Sequence, residues 1–144
     1  MSTSSRVALI TGASRGIGAA IARRLAADGF AVALNYASNT AEADALVAEL
    51  TRGGASAIAI QADVSQADQV GAMFTTVEQQ LGRIDVLVNN AGILKTAPLA
   101  QTSDALYLQN FAINTQGVFN TLREAQRAST TAAASSICPA PRWP

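Results

Sequence analysis

The sequence predicts an α/β fold, a doubly wound parallel sheet with helices on both faces that is truncated after about four strands. Three observations carry this reading. Short apolar runs alternate with longer amphipathic runs between residues 6 and 128. The short runs are almost continuously apolar, as strands buried on both faces are. Their β-α-β-α-β-α-β-α order calls for right-handed crossovers between parallel strands, which puts helices on both sides of the sheet.

The first strand is Arg6 to Ile10, ending at Thr11-Gly12. Gly16 to Asp28 follows as an amphipathic helix, with Ile17, Ile21 and Leu25 at four-residue spacing and Gly29 as its stop. Phe30 to Tyr36 is the second strand. The second helix, Ala41 to Leu50, has Leu46, Val47 and Leu50 on one face, Asn39 or Thr40 as its cap and Gly53-Gly54 as its break. Ala57 to Ile60 forms the third strand, closed by Ala62-Asp63-Val64. Ser65 with Asp68 reads as a capping pair for a helix over 66–81, whose apolar stripe is Val70, Met73, Phe74, Val77 and Leu81. Ile84 to Val88 is the fourth strand, running into Asn89-Asn90-Ala91-Gly92. After a loop with Pro98, residues 103–128 form one long helix capped by Ser103, with Leu106, Phe111, Val118, Phe119 and Leu122 as its apolar candidates. Residues 1–128 make the domain. Residues 129–144, rich in Ala, Ser, Thr and Pro, lack any helical or strand period and read as an irregular or disordered tail.

Composition removes several functions. The 144 residues are 49% apolar and only 14% charged, which argues against disorder and against a charged tail. Ten basic residues balance ten acidic ones, so there is no electrostatic footprint for nucleic acid or an anionic membrane. Zero net charge also favours self-association. The single cysteine, Cys138, allows no intrachain disulfide and no cysteine-based zinc site. With no histidine, a serine–histidine pair and histidine acid/base chemistry are excluded. No signal peptide opens the chain, and no apolar stretch approaches the roughly 20 residues of a membrane span. The expected setting is the cytoplasm.

The strongest motif is Thr11-Gly12-Ala13-Ser14-Arg15-Gly16-Ile17-Gly18, between a strand and a helix. A pyrophosphate needs backbone N–H groups aimed at it and no side chain in the way. Glycines at the turn meet both needs, and the helix N-terminus adds favourable partial charge. No Gly-Lys-Ser/Thr follows, so the turn is not a P-loop. The alternative is a glycine-rich turn that binds nothing.

With TGASRGIG, Asp63-Val64, Asn89-Asn90-Ala91-Gly92 and Asn114 in this order, residues 6–128 resemble the N-terminal half of the short-chain dehydrogenase/reductase family. The resemblance implies a Rossmann-type fold, with the four strands ordered 3-2-1-4, and NAD(P)-dependent hydride transfer between an alcohol and a carbonyl. It implies that Gly12, Ser14, Arg15, Gly16, Ile17 and Gly18 hold the cofactor diphosphate. It implies that Asp63, with the Val64 backbone, meets the adenine. Asn89, Asn90, Ala91 and Gly92 would line the adenosine ribose and nicotinamide side, and Asn114 would anchor a water in a proton relay. Read without the resemblance, Asp63 is equally a turn acid ahead of a helix, and Asn89-Asn90 a polar strand end.

Cofactor choice follows from charge. An NAD site places an acid at the end of the second strand, where it bonds the ribose 2′-hydroxyl and repels a 2′-phosphate. Here that segment is Asn35-Tyr36-Ala37-Ser38-Asn39, with no acid, and Arg15 stands in the glycine turn. A guanidinium there pairs with a phosphate, and Asn35, Ser38 and Asn39 add neutral hydrogen bonds. The expected cofactor is NADP(H) in preference to NAD(H).

The family's proton donor is a tyrosine with a lysine four residues later. Neither Tyr36 nor Tyr107 has one, and the only lysine is Lys95. A truncation or a shifted reading frame near residue 128 would produce such an ending. Little or no turnover is expected of this chain alone, and a carbonyl or alcohol substrate only if the catalytic half is supplied. Three readings remain: an oxidoreductase without its catalytic half, a non-catalytic nucleotide-binding module, and a fragment that pairs with another polypeptide.

Overall fold

The computed structural model describes residues 5–131. Four parallel strands form its sheet: β1 (Val7–Ile10), β2 (Ala31–Tyr36), β3 (Ala57–Gln61) and β4 (Ile84–Val88). Their order is β3-β2-β1-β4, as the resemblance implies. Helices α1 (Gly16–Ala27), α2 (Thr40–Arg52) and α3 (Ala67–Gln80) make the crossovers. A 3₁₀ turn (Leu99–Gln101) precedes α4 (Asp104–Phe111), which passes through a π turn (Ala112–Gln116) into α5 (Gly117–Thr131).

The strand pleat divides the core in two. Val7, Leu9, Ala31 and Ala33 face Val70, Met73, Phe74 and Val77 of α3. Ala8, Ile10, Val32 and Leu34 face Ala19 and Ala22 of α1 and Leu46 and Leu50 of α2. Every residue of β1 and β2 is buried, which is why these runs are apolar without alternation. Strands β3 and β4 end the described sheet on either side and are only half-buried.

The expected ends of α1 and α2 hold. Gly29, at φ +87°, follows α1, and the Asn39 side chain, not Thr40, caps α2 by accepting the Glu42 N–H at 3.4 Å. The Ser65–Asp68 capping pair does not form. Gln66 occupies the cap of α3 without a side-chain bond, because Ser65 donates both its N–H and its hydroxyl to Asp63 Oδ1, at 2.9 and 2.7 Å. The hydroxyl oxygen, which would have to accept a helix N–H to cap, accepts Gln66 Nε2 at 3.2 Å instead.

The long helix also differs from expectation. It is interrupted by the π turn, and Phe111, Phe119 and Leu122 are exposed. What α5 buries is Gly117, Asn120 and Thr121. A π turn adds a residue to the repeat and shifts the phase of every later side chain, so a stripe counted straight through it misplaces Phe119 and Leu122; Phe111 lies before it and stacks on exposed Tyr107. The helix is described as far as Thr131, past residue 128. The remainder of the expected tail, residues 132–144, lies outside the described residues.

Asp85 sits in the middle of the apolar β4 run for a specific reason. Val7 pairs with Ile84 and Ala8 with Val86, so the register steps over Asp85. Its carboxylate accepts the Val7 N–H at 2.8 Å, satisfying an amide that the irregular ladder strands. Asp85→Ala should lower stability in urea unfolding by about 1–2 kcal/mol, and Asp85→Asn, which keeps a carbonyl oxygen there, markedly less.

Candidate functional site

A cleft of about 480 Å³ opens at the C-terminal ends of the parallel strands, where the strand order reverses between β1 and β4. Its floor is the turn between β1 and α1, where Gly12, Ser14, Arg15, Gly16 and Ile17 line it. Gly12 and Gly16 take φ of +63° and +57°, open to glycine at little cost. A Cβ on Gly12 would stand 2.8 Å from Ala91 Cα, and one on Gly18 2.5 Å from Gly12 O and 2.6 Å from Asn90 Nδ2. Gly18 therefore seats α1 against the turn from behind the cleft, while Gly16 has nothing within 4 Å and keeps the approach open.

The first backbone bond of α1 runs from Ala19 N–H to Arg15 O. The amides of Gly16, Ile17 and Gly18 precede it and have no helical acceptor. Such a group of amides at a helix N-terminus suits a diphosphate.

The turn is braced from both sides. Asn35 is buried (1% exposed), and its Oδ1 accepts the Gly12 N–H at 3.3 Å while Nδ2 donates to Ile60 O and Ala62 O at 3.4 and 3.0 Å. From the other side, Asn90 Nδ2 donates to Thr11 O and Gly12 O at 3.0 and 2.9 Å. The Thr11 hydroxyl accepts the N–H groups of Asn90 and Ala91, both at 3.0 Å. Each end of the Gly12 residue is thus held by a carboxamide from a neighbouring strand end.

At one rim of the cleft stand Tyr36, Ala37, Ser38, Asn39, Asp63 and Val64, and at the other Asn90, Ala91, Gly92, Ile93 and Ile113. Asp63 is oriented by Ser65 through Oδ1, which leaves Oδ2 without a protein partner among the described residues. Val64 is buried under Gly117, whose Cβ would stand 2.6 Å from Val64 Cγ2, and Asn120 Nδ2 donates to Val64 O at 2.9 Å. Arg15 lines the cleft, exposed, and its side chain makes no ion pair or hydrogen bond among the described residues.

Of the residues the sequence points to, Gly18, Asn89 and Asn114 stand behind the cleft wall rather than on it. Asn89 Oδ1 accepts the Thr121 hydroxyl at 2.6 Å. Asn114 exchanges two bonds with Ile93, accepting its N–H at 2.8 Å and donating to its C=O at 2.7 Å. The π turn places that side chain. Asn35 borders the cleft, but its carboxamide is engaged with backbone on both faces. Sequence reasoning missed Ile93 and Ile113 in the wall and Thr121 and Asn120 as supports. A polar pair between Val118-Phe119 and Leu122 was the signal for the last two.

The family description "short chain dehydrogenase" matches residues 6–137. The chain belongs to this family. An uncharacterized oxidoreductase of Methylorubrum extorquens is 51% identical over 113 residues, which are 78% of this chain and 46% of that protein. A 3-oxoacyl-(acyl-carrier-protein) reductase of Staphylococcus aureus is 46% identical over 118 residues, 82% of this chain and 48% of that one. Among solved structures, a blue fluorescent protein from a metagenomic library, in complex with NADPH, superposes with a TM-score of 0.81 at 46% identity, covering 85% of this chain and 50% of its own. The chain spans about half the length of the relatives it matches. It is the N-terminal, Rossmann-type half of the short-chain dehydrogenase fold.

The two kinds of glycine separate experimentally. Gly18→Ala forces a backbone contact and should cost about 1–3 kcal/mol in urea unfolding. Gly71→Ala, in open space on α3, should instead stabilise by up to about 1 kcal/mol.

Proposed function

We propose that this chain is the NADP(H)-binding half of an oxidoreductase that moves hydride between an alcohol and a carbonyl. The observation that carries the cofactor choice is Arg15, which lines the cleft unpaired, with Ser38 across the floor and no acid at the end of β2. A 2′-phosphate there gains an ion pair and meets no carboxylate. The free amides of Gly16, Ile17 and Gly18 are open to the diphosphate, and the oriented Asp63 carboxylate to the adenine amino group. When bound, the cofactor supplies or accepts the hydride. A relative named as a 3-oxoacyl-(acyl-carrier-protein) reductase and a neighbour solved with NADPH support this reading.

The roles of two asparagines are indirect. Asn35 holds the turn and the β3 end in register rather than touching the ribose. Asn114 fixes Ile93 in the cleft wall. Each of its carboxamide atoms keeps one further hydrogen-bonding position, which leaves it able to anchor a relay water. These 144 residues hold no Tyr-x-x-x-Lys. Losing an acid/base group costs roughly 10²–10⁴-fold in rate. Proton delivery to a carbonyl therefore has to come from groups outside them, and binding without turnover is the behaviour of this chain by itself. A half-buried edge strand β4, exposed Phe119 and Leu122, and zero net charge favour self-association. The proposed setting is the cytoplasm.

Titration with NADPH and NADH, followed by nicotinamide fluorescence and paired with a carbonyl panel, tests this reading. NADPH should bind more tightly, without carbonyl-dependent oxidation. Arg15→Glu should weaken NADPH by roughly 10-fold or more and NADH far less. Equal losses would remove the 2′-phosphate assignment.

A further inference from the structure

We infer that Asn110 is a positioning residue for the nicotinamide end of the cofactor, acting with Asn114 as a two-point strap that holds residues 93–95 against the long helix. The inference rests on the nucleotide reading above. It starts from a repeated contact. Asn114 bonds both the N–H and the C=O of Ile93, at 2.8 and 2.7 Å. Asn110, one turn earlier, does the same to Lys95: Oδ1 accepts the Lys95 N–H at 3.2 Å, and Nδ2 donates to the Lys95 C=O at 3.1 Å. Nδ2 also donates to Leu106 O at 2.9 Å, which locks the side chain to its own helix. Lys95 Nζ reaches Gln109 Oε1 at 3.1 Å, a further tie to the same turn.

The spacing explains why two asparagines can do this. Side chains four apart on a helix are separated by about 6 Å along its axis. Alternate residues of an extended chain repeat at about 6.6 Å and present their N–H and C=O groups to the same side. A carboxamide offers one donor face and one acceptor face, as a peptide does. Asn110 and Asn114 therefore stand where a neighbouring strand would, and pair residues 93 and 95 of a segment that belongs to no sheet. Leu94, between them, is 86% exposed and adds no packing of its own. The segment is held by these polar contacts rather than by burial.

The consequence lies at the cleft. Ile93 lines the rim opposite Ser38 and Asp63, and the chain from Ala91 to Ile93 forms that wall. With the 2′-phosphate at Arg15, this far rim receives the nicotinamide end. Asn110 touches no part of the cleft, so its influence passes through the backbone of residues 93–95.

The test compares two ligands that share the adenosine end: NADPH, and adenosine 2′,5′-bisphosphate, which lacks the nicotinamide. In the full chain, Asn110→Ala should weaken NADPH roughly five-fold and leave the bisphosphate within about two-fold. Amide hydrogen exchange at Lys95 should quicken by roughly ten-fold. Asn110→Asp, of the same shape, sets a carboxylate oxygen against the Lys95 and Leu106 carbonyls in place of the donor, and should weaken NADPH at least as much as alanine, again sparing the bisphosphate. It reads out the same contrast should the alanine variant not fold. Equal weakening of both ligands, or unchanged NADPH affinity, would overturn the positioning role. Failure of the unsubstituted chain to bind either ligand would overturn the nucleotide reading, and the strap's cofactor role with it.

Discussion

Parallel strands bring the backbone polar groups of their C-terminal ends to one edge, and those groups have to be satisfied there without closing the cleft they border. In this chain the solution is side-chain carboxamides and a hydroxyl. Asn35 and Asn90 grip Gly12 from the β2 and β4 sides, and Thr11 gathers two amides of the β4 end. Because the turn is held from behind, the amides of Gly16 and Ile17, which line the cleft, remain without partners among the described residues. The shape of the cleft depends on that division between satisfied and free amides.

The long helix extends the same principle to both rims. Asn114 and Asn110 hold the segment after β4, while Asn120 and the close approach of Gly117 hold Val64. Thr121 ties the helix to Asn89 between them. One continuous helical stretch thereby touches both ends of the cleft. A core of small and polar residues on α5 suits this work, since bulk there would push the helix off the Asp63–Val64 turn. The apolar residues Phe119 and Leu122 are left on the outer face.

Four strands and the three crossover helices were legible because each carries a local signal: continuous apolar runs, four-residue spacing, and glycines such as Gly29 where the chain must take positive φ. The glycine turn was legible for the same reason. The α3 cap was misread because the Ser65 hydroxyl is turned to Asp63 and Gln66 instead of accepting a helix N–H, a choice between partners that spacing does not rank. The apolar face of the long helix was misread because its period is broken at Ala112–Gln116, and no residue type announces a π turn.

What the sequence determined by itself was therefore the fold class and the glycine turn, consequences of patterns within a few residues of one another, while the strand order came with the family resemblance. Only the tertiary structure decided what Asn35, Asn110, Asn114 and Asn120 do. A carboxamide is equally able to cap, to bind a ligand or to stand in for a peptide. Which of these it does depends on the backbone groups that residues far away in the chain bring to within 3 Å or so of it.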